Sequence, residues 1–533
     1  MTRGTAAFLL AAAVLAAPCP AAVAEHDVAI YGGTPGGCAA AVAAARNGAR
    51  VVLLEQTGHV GGLNASGINT AETEHMLMWT VGGIALEFYE RLGTLMGTDG
   101  PAFEFLSGKA ERMFNVMLDE AGVEKRFGLQ LVRVEKDGDR IRRIVMSDGS
   151  AVTASVFIDA TYAGDLLARS GVASTVGREG REHYGESLAG IRLERTMHQG
   201  SPYAADGRLL PGVSDEVANL REGAAHRAPM NYNYRLCFTR LEGNKTPIPA
   251  PANYDPARFE LLARFCTAAT AAGRRLALAD FIDLYERAEG KFEVNNKQAA
   301  VISIGHFGGQ FDYPEADSER RAAIEADHKE YTLGFLHFLA TDARVPEAVR
   351  TEIRGWGLAK DEFADNGNWP YSLYVRQARR MVGSLVMTQK DVLDDRRKDD
   401  SVGMGSHFID SHHVQRVAVS PTVFCNEGRI WRPGHAYQVP YRALTPRAEE
   451  CSNLLVPVAA SFSHVAFCTF RVEATWMVAG QAAGTAAAMA AKHGVAVQRL
   501  PVAALQETLR GQKQVIDFVP GQPETFQGRT TEF

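Results

Sequence analysis

The residues best suited to bind a phosphate-containing ligand stand near the start of the chain, at a glycine-rich turn. Gly32 and Gly37 bracket this turn, which an apolar run precedes and an alanine-rich run follows. Glycines permit a tight turn and a close approach of the backbone, and the amides at a helix N-terminus attract phosphate. Glu55 stands about 20 residues further on, where a carboxylate accepts hydrogen bonds from ribose hydroxyls. The spacing predicts a pocket for an adenine dinucleotide, formed by Gly32, Gly33, Thr34, Pro35, Gly36, Gly37, Glu55 and Gln56.

The segments around this turn are predicted to form a strand, a helix and a second strand. Residues 27–31 and 50–54 are short and apolar, as buried strands are, and residues 38–47 have the composition of a helix. Thr34 stands where the usual fingerprint has its middle glycine, so the phosphate contacts are expected to differ there. Gln56, rather than an arginine, follows the acid, which argues against a 2′-phosphate on the ligand. The alternative is a glycine turn in an ordinary α/β protein.

Three later features favour a flavin dinucleotide over a nicotinamide dinucleotide. Residues 58–67 form a second glycine patch that resembles the one beneath the diphosphate in glutathione-reductase-like flavoproteins. Residues 130–135, 140–147 and 151–156 are predicted to form a three-stranded meander, and residues 157–165 resemble an Asp-Ala-Thr-Gly segment of the same proteins. The further contacts predicted on these segments are Gly61, Gly62, Leu63, Ser66, Val132, Ala160, Thr161 and Asp165. The chain contains no second G-x-G-x-x-G, so a separate NAD(P)H domain is not expected.

Most of the chain resembles the bacterial FAD-dependent oxidoreductase family, which lies near the flavin part of heterodisulfide reductase (the HdrA component) and is sometimes labelled xanthan lyase-like. The matching stretches are residues 231–237, 369–370, 374–381, 409–412, 440–442 and 471–484. The resemblance implies bound FAD and an α/β fold, in which a glutathione-reductase-like FAD-binding Rossmann domain carries an inserted α+β substrate or cap domain. Tyr162 departs from the Asp-Ala-Thr-Gly pattern, because it replaces the glycine.

The order of these segments predicts five parts of the chain. They are a signal peptide over 1–24, the first part of the FAD-binding domain over 25–190, the substrate or cap domain over 191–400, the return to the FAD-binding domain over 401–500 and a C-terminal tail over 501–533. The middle part is richer in aromatic residues and arginines, and it contains a predicted helix over 317–341.

The first residues have the pattern of a Sec-type signal peptide. Arg3 precedes an unbroken apolar run over residues 6–17, and residues 22–24 (Ala-Val-Ala) offer the small side chains that a signal peptidase reads. The run is too short to span a bilayer, which needs about 20 helical residues. Cys19 leaves a lipoprotein as the alternative. The pattern predicts a periplasmic or secreted protein.

Composition argues against several other classes of function. The formal net charge is −6 and no basic run contains interleaved aromatic residues, so nucleic-acid binding is not expected. No window beyond the leader is apolar enough for a transmembrane segment. The cysteines beyond the leader permit disulfides without requiring them, and the absence of C-x-x-C argues against a zinc ribbon or a dithiol centre.

Two histidines are the candidates for the base that takes a proton from the substrate. His464 stands between a strand predicted over 453–460 and a helix predicted over 475–492, and His412 is the second candidate. The alternative for each is a structural histidine whose hydrogen bonds are satisfied. His412 and His413 are neighbours on a predicted strand and therefore point to opposite faces, and no metal site is predicted.

Two arginines are the candidates for binding the substrate itself. Arg376 and Arg471 carry guanidinium groups that suit a carboxylate or a hydroxyl-rich molecule. A helix is predicted through Arg376 and Arg380, which places both side chains on one face. The alternative is that these arginines form ion pairs with acids that precede them, over residues 361–365.

The predicted helix over 475–492 is rich in small residues, so it can lie close to a sheet or a cofactor. Its partly positive N-terminus suits the anionic density of a reduced flavin. Gln481 and Ala482 are the contacts predicted on this helix, and the alternative is that Gly480 and Gly484 serve helix packing.

These observations lead to one main hypothesis and two alternatives. The main hypothesis is an exported FAD-dependent dehydrogenase or oxidase that transfers hydride from a small polar organic substrate to the flavin. The sequence identifies neither that substrate nor the electron acceptor. The alternatives are a polysaccharide-active lyase or hydrolase, and a flavin-binding protein without turnover.

Overall fold

A seven-stranded sheet carries the predicted strand–helix–strand unit. In this computed structural model, which describes residues 25–193, 196–215 and 220–527, the sheet consists of β1 (His26–Tyr31), β2 (Val51–Leu54), β3 (Glu124–Arg126), β4 (Leu131–Asp137), β5 (Arg140–Met146), β6 (Ala151–Asp159) and β21 (Leu454–Leu455). The strand order is β3-β2-β1-β6-β5-β4, with β21 beside β6. Strands β3, β2, β1, β6 and β21 are parallel, whereas β5 is antiparallel to both of its neighbours. The Rossmann-like sheet with its antiparallel meander confirms the predicted α/β fold class.

Helix α1 begins directly at the glycine turn. The helices of the described residues are α1 (Pro35–Arg46), α2 (Gly83–Met96), α3 (Ser107–Glu120), α4 (Asp165–Arg169), α5 (Arg181–Tyr184), α6 (Glu260–Ala271), α7 (Ser318–Thr341), α8 (Glu347–Arg354), α9 (Gln389–Leu393), α10 (His464–Phe470), α11 (Glu473–His493) and α12 (Val502–Gly511). Thr34 caps α1, since its Oγ1 accepts a hydrogen bond from the Gly37 amide at 3.1 Å. Pro35 fits the first turn of the helix, because backbone N–H groups there have no partner within the helix and proline lacks that group. The helix therefore starts before residue 38, where it was predicted to start.

Two glycines bring α11 into backbone contact with α1. A Cβ atom at Gly480 would collide with the carbonyl oxygen of Gly36, and one at Gly484 would collide with that of Ala40. At the other end of the contact, a Cβ atom at Gly36 would lie 2.9 Å from the carbonyl oxygen of Trp476. These glycines serve helix packing, which places the first turn of α11 beside the glycine turn.

A second sheet, antiparallel throughout, forms in the middle of the chain. It consists of β9 (Leu236–Thr239), β10 (Lys245–Thr246), β11 (Ile282–Glu286), β12 (Lys291–Asn296) and β13 (Gly357–Ala359), in the order β10-β13-β9-β12-β11. Together with α6, α7 and α8 it buries a hydrophobic core of its own. Asp317 caps α7 by accepting the Arg320 amide at 2.8 Å, so the helix predicted over 317–341 is confirmed. This α+β unit is the insertion that the fold class implies.

The remaining strands form small sheets around the C-terminal part. They are β7 (Ser174–Val176), β8 (Met197–Gln199), β14 (Arg379–Met381), β15 (Ser401–Gly405), β16 (Ile409–Ser411), β17 (Gln415–Ser420), β18 (Val423–Glu427), β19 (Ile430–Arg432) and β20 (Tyr437–Pro440). Strand β14 pairs with β7, β15 with β20 and β16 with β19, and β17, β18 and β8 form a three-stranded sheet.

One element predicted in the C-terminal half is wrong, and another is confirmed only in part. The helix through Arg376 and Arg380 does not form, because Arg380 lies in β14 and pairs with Thr175 of β7. Cross-strand pairing therefore overrides the helical spacing. Of the strand predicted over 453–460, only the two residues of β21 pair with β6. The amide of Val456 donates its hydrogen bond to the Leu444 carbonyl instead of to β6.

The six cysteines of the described residues are buried free thiols, so the disulfides that the sequence permits do not form among them. The Sγ atom of Cys38 lies 3.5 Å from the Gly33 carbonyl oxygen, as a packing residue inside α1. In the described part of the chain, no helix combines the length and the apolar character needed to cross a membrane. The predicted leader over 1–24 lies outside the described residues.

Candidate functional site

A cleft opens at the carboxyl ends of β1, β2 and β6, where ligands of open α/β sheets bind. One side is lined by residues predicted to bind the cofactor, namely Gly32, Thr34, Glu55, Gln56, Gly62, Thr161 and Asp165. The other side is lined by α7 and by residues 371–373. Predicted contacts from separate segments therefore meet around one cleft.

Glycine is required at both ends of the first turn. Gly32 has a φ of +109°, and a Cβ atom there would lie 2.7 Å from the carbonyl carbon of Ala160. A Cβ atom at Gly37 would collide with the carbonyl oxygen of Gly32. Thr34, in place of the middle glycine, donates its hydroxyl hydrogen to the Ala160 carbonyl at 2.8 Å and so ties the turn to the end of β6. Of this turn, Gly32 and Thr34 line the cleft, and a pyrophosphate would bind beside them.

Glu55 is held in place by hydrogen bonds at the end of β2. Its Oε2 accepts the Gly33 amide at 2.6 Å, and its Oε1 accepts the amide and the hydroxyl of Thr57 at 2.8 and 2.9 Å. Burial raises the pKa of this carboxyl group, and the hydrogen bonds from Thr57 and Gly33 oppose that rise. The carboxylate therefore reaches both the glycine turn and the cleft, where the predicted ribose contact would form.

We expect Glu55→Gln to weaken FAD binding about 10- to 100-fold, since hydrogen bonds to a charged group contribute about 1.5–3 kcal/mol each. In the variant, the N–H of the glutamine side chain also points at a backbone N–H that donates a hydrogen bond to the carboxylate in the parent protein. Fluorescence titration of the flavin-free protein with FAD measures the change. Glu87→Gln, the same exchange in an ion pair with Arg46 on the surface, is the matched control. Equal weakening in both variants would contradict the predicted role of Glu55.

Tyr162 connects the second glycine turn to helix α11. The phenol oxygen of Tyr162 accepts the Leu63 amide at 2.9 Å and donates its hydrogen to Oε1 of Glu473 at 2.9 Å. Gly62 has a φ of +46°, and a Cβ atom there would collide with the same phenol oxygen. The tyrosine that replaces the expected glycine thus fixes the spacing between this turn and the start of α11.

Asp165 joins the cleft to the middle of the chain. Its two carboxylate oxygens each accept a guanidinium hydrogen of Arg321 at 2.8 Å, and Arg379 lies 3.4 Å away. Burial by itself would raise the pKa of Asp165, but the charge and hydrogen bonds of Arg321 and the charge of Arg379 together outweigh it, and the pKa is lowered. Asp165 is therefore an ionised partner of α7, and Gln56 reaches it at 3.4 Å.

The other predicted cofactor residues do not line the cleft. Buried behind its walls are Gly33, Pro35, Gly36, Gly37, Gly61, Leu63, Ser66 and Ala160. Val132 is 53% exposed on β4. Gln481 faces α2, where its Oε1 accepts the Ile84 amide at 2.7 Å, and its neighbour Ala482 is fully buried. Gln481 and Ala482 therefore do not line the cleft, because the packing of α11 directs the helix face that carries them away from it.

Both candidate histidines are buried in hydrogen-bond networks. Nδ1 of His464 lies 2.8 Å from Oε1 of Gln377, and its Nε2 lies 3.3 Å from the Ser411 hydroxyl. His412 is hydrogen-bonded to Gln298 and lies 3.2 Å from Asp410. Burial lowers the pKa of each imidazole well below its usual value, with a further lowering by nearby arginines. Neither ring lines the cleft, so the structure supports the alternative of structural histidines.

Arg471 lines a second, smaller cavity at the start of α11, together with Glu72, Tyr374, Glu473 and Ala474. Its guanidinium pairs with Asp410 at 2.8 Å and donates to the Tyr374 phenol at 3.0 Å. Although burial opposes it, the hydrogen bond to Tyr374 and the negative charge of Asp410 raise the pKa of Arg471. A permanent cation therefore stands at the wall of this cavity.

Arg376 is buried and bonded to polar groups rather than to the acids over 361–365. Its Nη1 donates to the Asn231 carbonyl at 2.7 Å, and its Nη2 donates to the side-chain oxygen of Asn233 at 2.5 Å. Among the described residues, no carboxylate pairs with it. Its guanidinium lies 4.2 Å from the ring centroid of Tyr374, and burial lowers its pKa to about 9.

Glu473 is a functional candidate that the sequence reasoning missed. It is 4% exposed, its Oε1 accepts the Tyr162 hydrogen, and its Oε2 has no hydrogen-bond partner among the described residues. Burial raises its pKa to about 8. A carboxylate at the first residue of an otherwise apolar helix was the available signal, but its burial depends on segments far away in the chain.

The comparisons with solved structures show similarity over parts of the chain only. THI4 from Thermovibrio ammonificans is 22% identical over 29% of this chain and 66% of that chain, with a TM-score of 0.22. BexE is 13% identical over 51% and 43%, with a TM-score of 0.25. The halogenase PltM, solved with phloroglucinol and FAD, is 14% identical over 30% and 41%, with a TM-score of 0.21. The matched part thus spans less than two thirds of each of these chains, and similarity this low supports no statement about function.

The comparison with protein families covers much more of the chain. The family described as FAD dependent oxidoreductase matches residues 27–509, which include the glycine turn, the meander, the inserted unit and α11. The search of curated proteins finds no significant match.

Proposed function

The chain belongs to the family of FAD dependent oxidoreductases, and we propose that it oxidises a small polar organic substrate whose hydride passes to the bound flavin. The observation that carries this proposal is Glu473, a buried carboxylate with an unpaired oxygen and a pKa of about 8. It lines a cavity with Arg471 and Tyr374. A carboxyl group with such a pKa in a cavity is typical of a site of proton transfer.

Residues of the cleft fit the cofactor of this family, FAD. The turn at Gly32 and Thr34 would hold the pyrophosphate, Glu55 the ribose, and the second glycine turn at Gly62 the part that extends towards α11. Bound there, FAD supplies the hydride acceptor. The other steps of substrate oxidation fall to side chains of the protein, and turnover also needs an external electron acceptor.

Glu473 is the proposed base for the proton that leaves the substrate. The hydrogen bond from Tyr162 to Oε1 fixes the orientation of the carboxyl group, and leaves Oε2 to receive the proton. The cavity beside it has a volume of about 10 Å³, enough for about one water molecule, so a substrate oxygen there would replace a water and accept hydrogen bonds from Arg471 and Tyr374. This assignment replaces His464 and His412, whose ring nitrogens are engaged elsewhere.

Arg376 supports a substrate that carries a carboxylate. A buried guanidinium without a carboxylate partner is unfavourable, and a bidentate anion would compensate its charge. It stacks on Tyr374, which lines the smaller cavity. Arg376 is fully buried and lines neither the cleft nor the smaller cavity, so a substrate carboxylate would reach it only after a rearrangement of these side chains.

We place this activity in the periplasm or outside the cell, because residues 1–24 have the pattern of a cleavable leader. Fractionation of the native host, with detection by an antibody, tests this part of the proposal separately. Recovery of the uncleaved chain in the cytoplasm would contradict it.

Purified protein provides the direct test of the function. The expected preparation is yellow, shows flavin absorbance bands and bleaches with dithionite. Anaerobic mixing with hydroxy acids, amines and sugars then identifies the substrate as the compound that bleaches the flavin. A colourless protein that binds no FAD, or one that degrades polysaccharide without it, would overturn the proposal in favour of the alternatives.

A further inference from the structure

Three side chains that can ligate a metal meet at the edge of the smaller cavity. Glu72 precedes the short 3-10 helix Thr73–His75, His75 is its last residue, and His407 follows β15. One ligand atom of each residue lies within 4.8 Å of the other two. The sequence separates Glu72 from His407 by more than 300 residues, which is why no metal site was predicted.

The ring of His407 is oriented as a metal ligand would be. The residue is 3% exposed, and its Nδ1 lies 2.8 Å from the carbonyl oxygen of Phe408. Nδ1 must therefore carry the hydrogen, so the lone pair is on Nε2. This Nε2 is buried and has no hydrogen-bond partner among the described residues. Histidines that bind metals donate their other ring N–H to an acceptor in this way, and an unpaired buried nitrogen is otherwise unfavourable.

The two other side chains can close around an ion. Nδ1 of His75 lies 3.4 Å from Oε2 of Glu72, and both side chains are about a quarter exposed, so they can adjust and an ion can enter. The His75 ring packs between Phe408 and Trp431, with ring centroids 5.1 and 4.9 Å away. The Phe408 amide also donates to the His75 carbonyl at 3.1 Å, which holds the two segments together.

We propose that Glu72, His75 and His407 bind one divalent transition-metal ion, for which Zn²⁺ is the best match. Two imidazole nitrogens and one carboxylate are a donor set that zinc accepts, and three protein ligands leave a coordination position open. Because Glu72 also lines the smaller cavity, the ion lies next to Arg471 and Glu473. The site does not rest on the proposed function, since none of its ligands was assigned to the flavin or to proton transfer.

Calorimetric titration of the flavin-loaded, chelator-treated protein with ZnCl₂ tests the site. We expect one saturable zinc per chain. Glu72→Gln and His75→Gln should each weaken binding by at least about 10-fold, because even a residue that only supports a ligand contributes that much. Glu74→Gln is the matched control: it makes the same exchange next to His75, at 4.0 Å from its Nδ1, and should bind zinc as the parent does. Circular dichroism and the flavin spectrum verify that each variant is folded.

Titration with Co²⁺ gives a second readout that a loss of folding would not mimic. The parent protein should develop the visible absorbance of a low-coordinate nitrogen and oxygen site, and His75→Gln should not. The proposal is overturned if the parent binds no stoichiometric metal. It is equally overturned if Glu74→Gln weakens binding as much as Glu72→Gln does, because the metal would then bind to surface acids.

Discussion

Gly37→Ala is expected to give a folded protein that has lost its flavin. The new methyl group would collide with the carbonyl oxygen of Gly32 and would lie 3.0 Å from the Cβ atom of Ala160. Helix α1 must then move away from the turn, which costs about 1–3 kcal/mol and displaces the helix N-terminus from the pyrophosphate. We expect FAD to bind at least about 100-fold more weakly, which corresponds to about 3 kcal/mol. The ratio of flavin to protein absorbance after gel filtration, followed by titration with FAD, measures the loss.

Gly48→Ala is the matched control for this variant. Gly48 also has a left-handed φ, +86°, but a Cβ atom there meets no atom within 4 Å. The control should lose about 1 kcal/mol of stability and keep its flavin. If folded Gly37→Ala retains FAD as well as Gly48→Ala does, the dinucleotide does not bind at this turn.

Glu473→Gln should make the flavin-free protein more stable at pH 9 than the parent is, with a smaller difference at pH 5. Burial raises the pKa of Glu473 from 4.5 to about 8, so the folded protein binds a proton that the unfolded chain releases. This contribution to stability is complete below about pH 4.5 and is lost as the pH rises through about 8. The glutamine amide does not ionise, so the variant avoids this loss of unfolding free energy, which is on the order of 3–5 kcal/mol. Urea unfolding of both proteins at the two pH values measures it.

The same substitution should change the kinetics once a substrate is found. The kcat of the parent should rise with pH through about 8, because the base must be ionised. Glu473→Gln should lower kcat by roughly 10²- to 10⁴-fold and should abolish that rise. Glu90→Gln, on the exposed face of α2, should change neither stability nor rate. A stability difference that is the same at pH 5 and pH 9 would show that Glu473 ionises normally.

Several elements were predictable because neighbours along the chain determine them. The strand–helix–strand unit and the meander follow from the spacing of apolar residues and turn residues. Helix α7 follows from its cap at Asp317 and from its helical pattern. The sequence predicts a tight turn at Gly32 and close packing of the helix at Gly37, and the structure shows the collisions that a side chain at either position would cause. In each case the residues that determine the element are neighbours in the sequence or members of one repeating apolar pattern.

The departures have a common physical origin in contacts between distant segments. Arg376 has the spacing of a helical residue, yet the pairing of β14 with β7 determines the backbone that follows it. His464 was a reasonable base by residue type, but its ring packs against Gln377 and Ser411 and is buried. Gln481 was placed at the cofactor, whereas the close contact of α11 with α1 turns it towards α2.

The amino-acid sequence was sufficient to predict the fold class and the tight glycine turn, because these depend on local geometry that few residue types can adopt, and its resemblance to a known family was sufficient to predict FAD as the cofactor. Only the tertiary structure decided which acid is the candidate base and which side chains can share a metal. Both properties depend on the local dielectric environment and on distances between charged or ligating atoms. Glu473 acquires its raised pKa, and His407 its unpaired nitrogen, from burial by segments hundreds of residues apart.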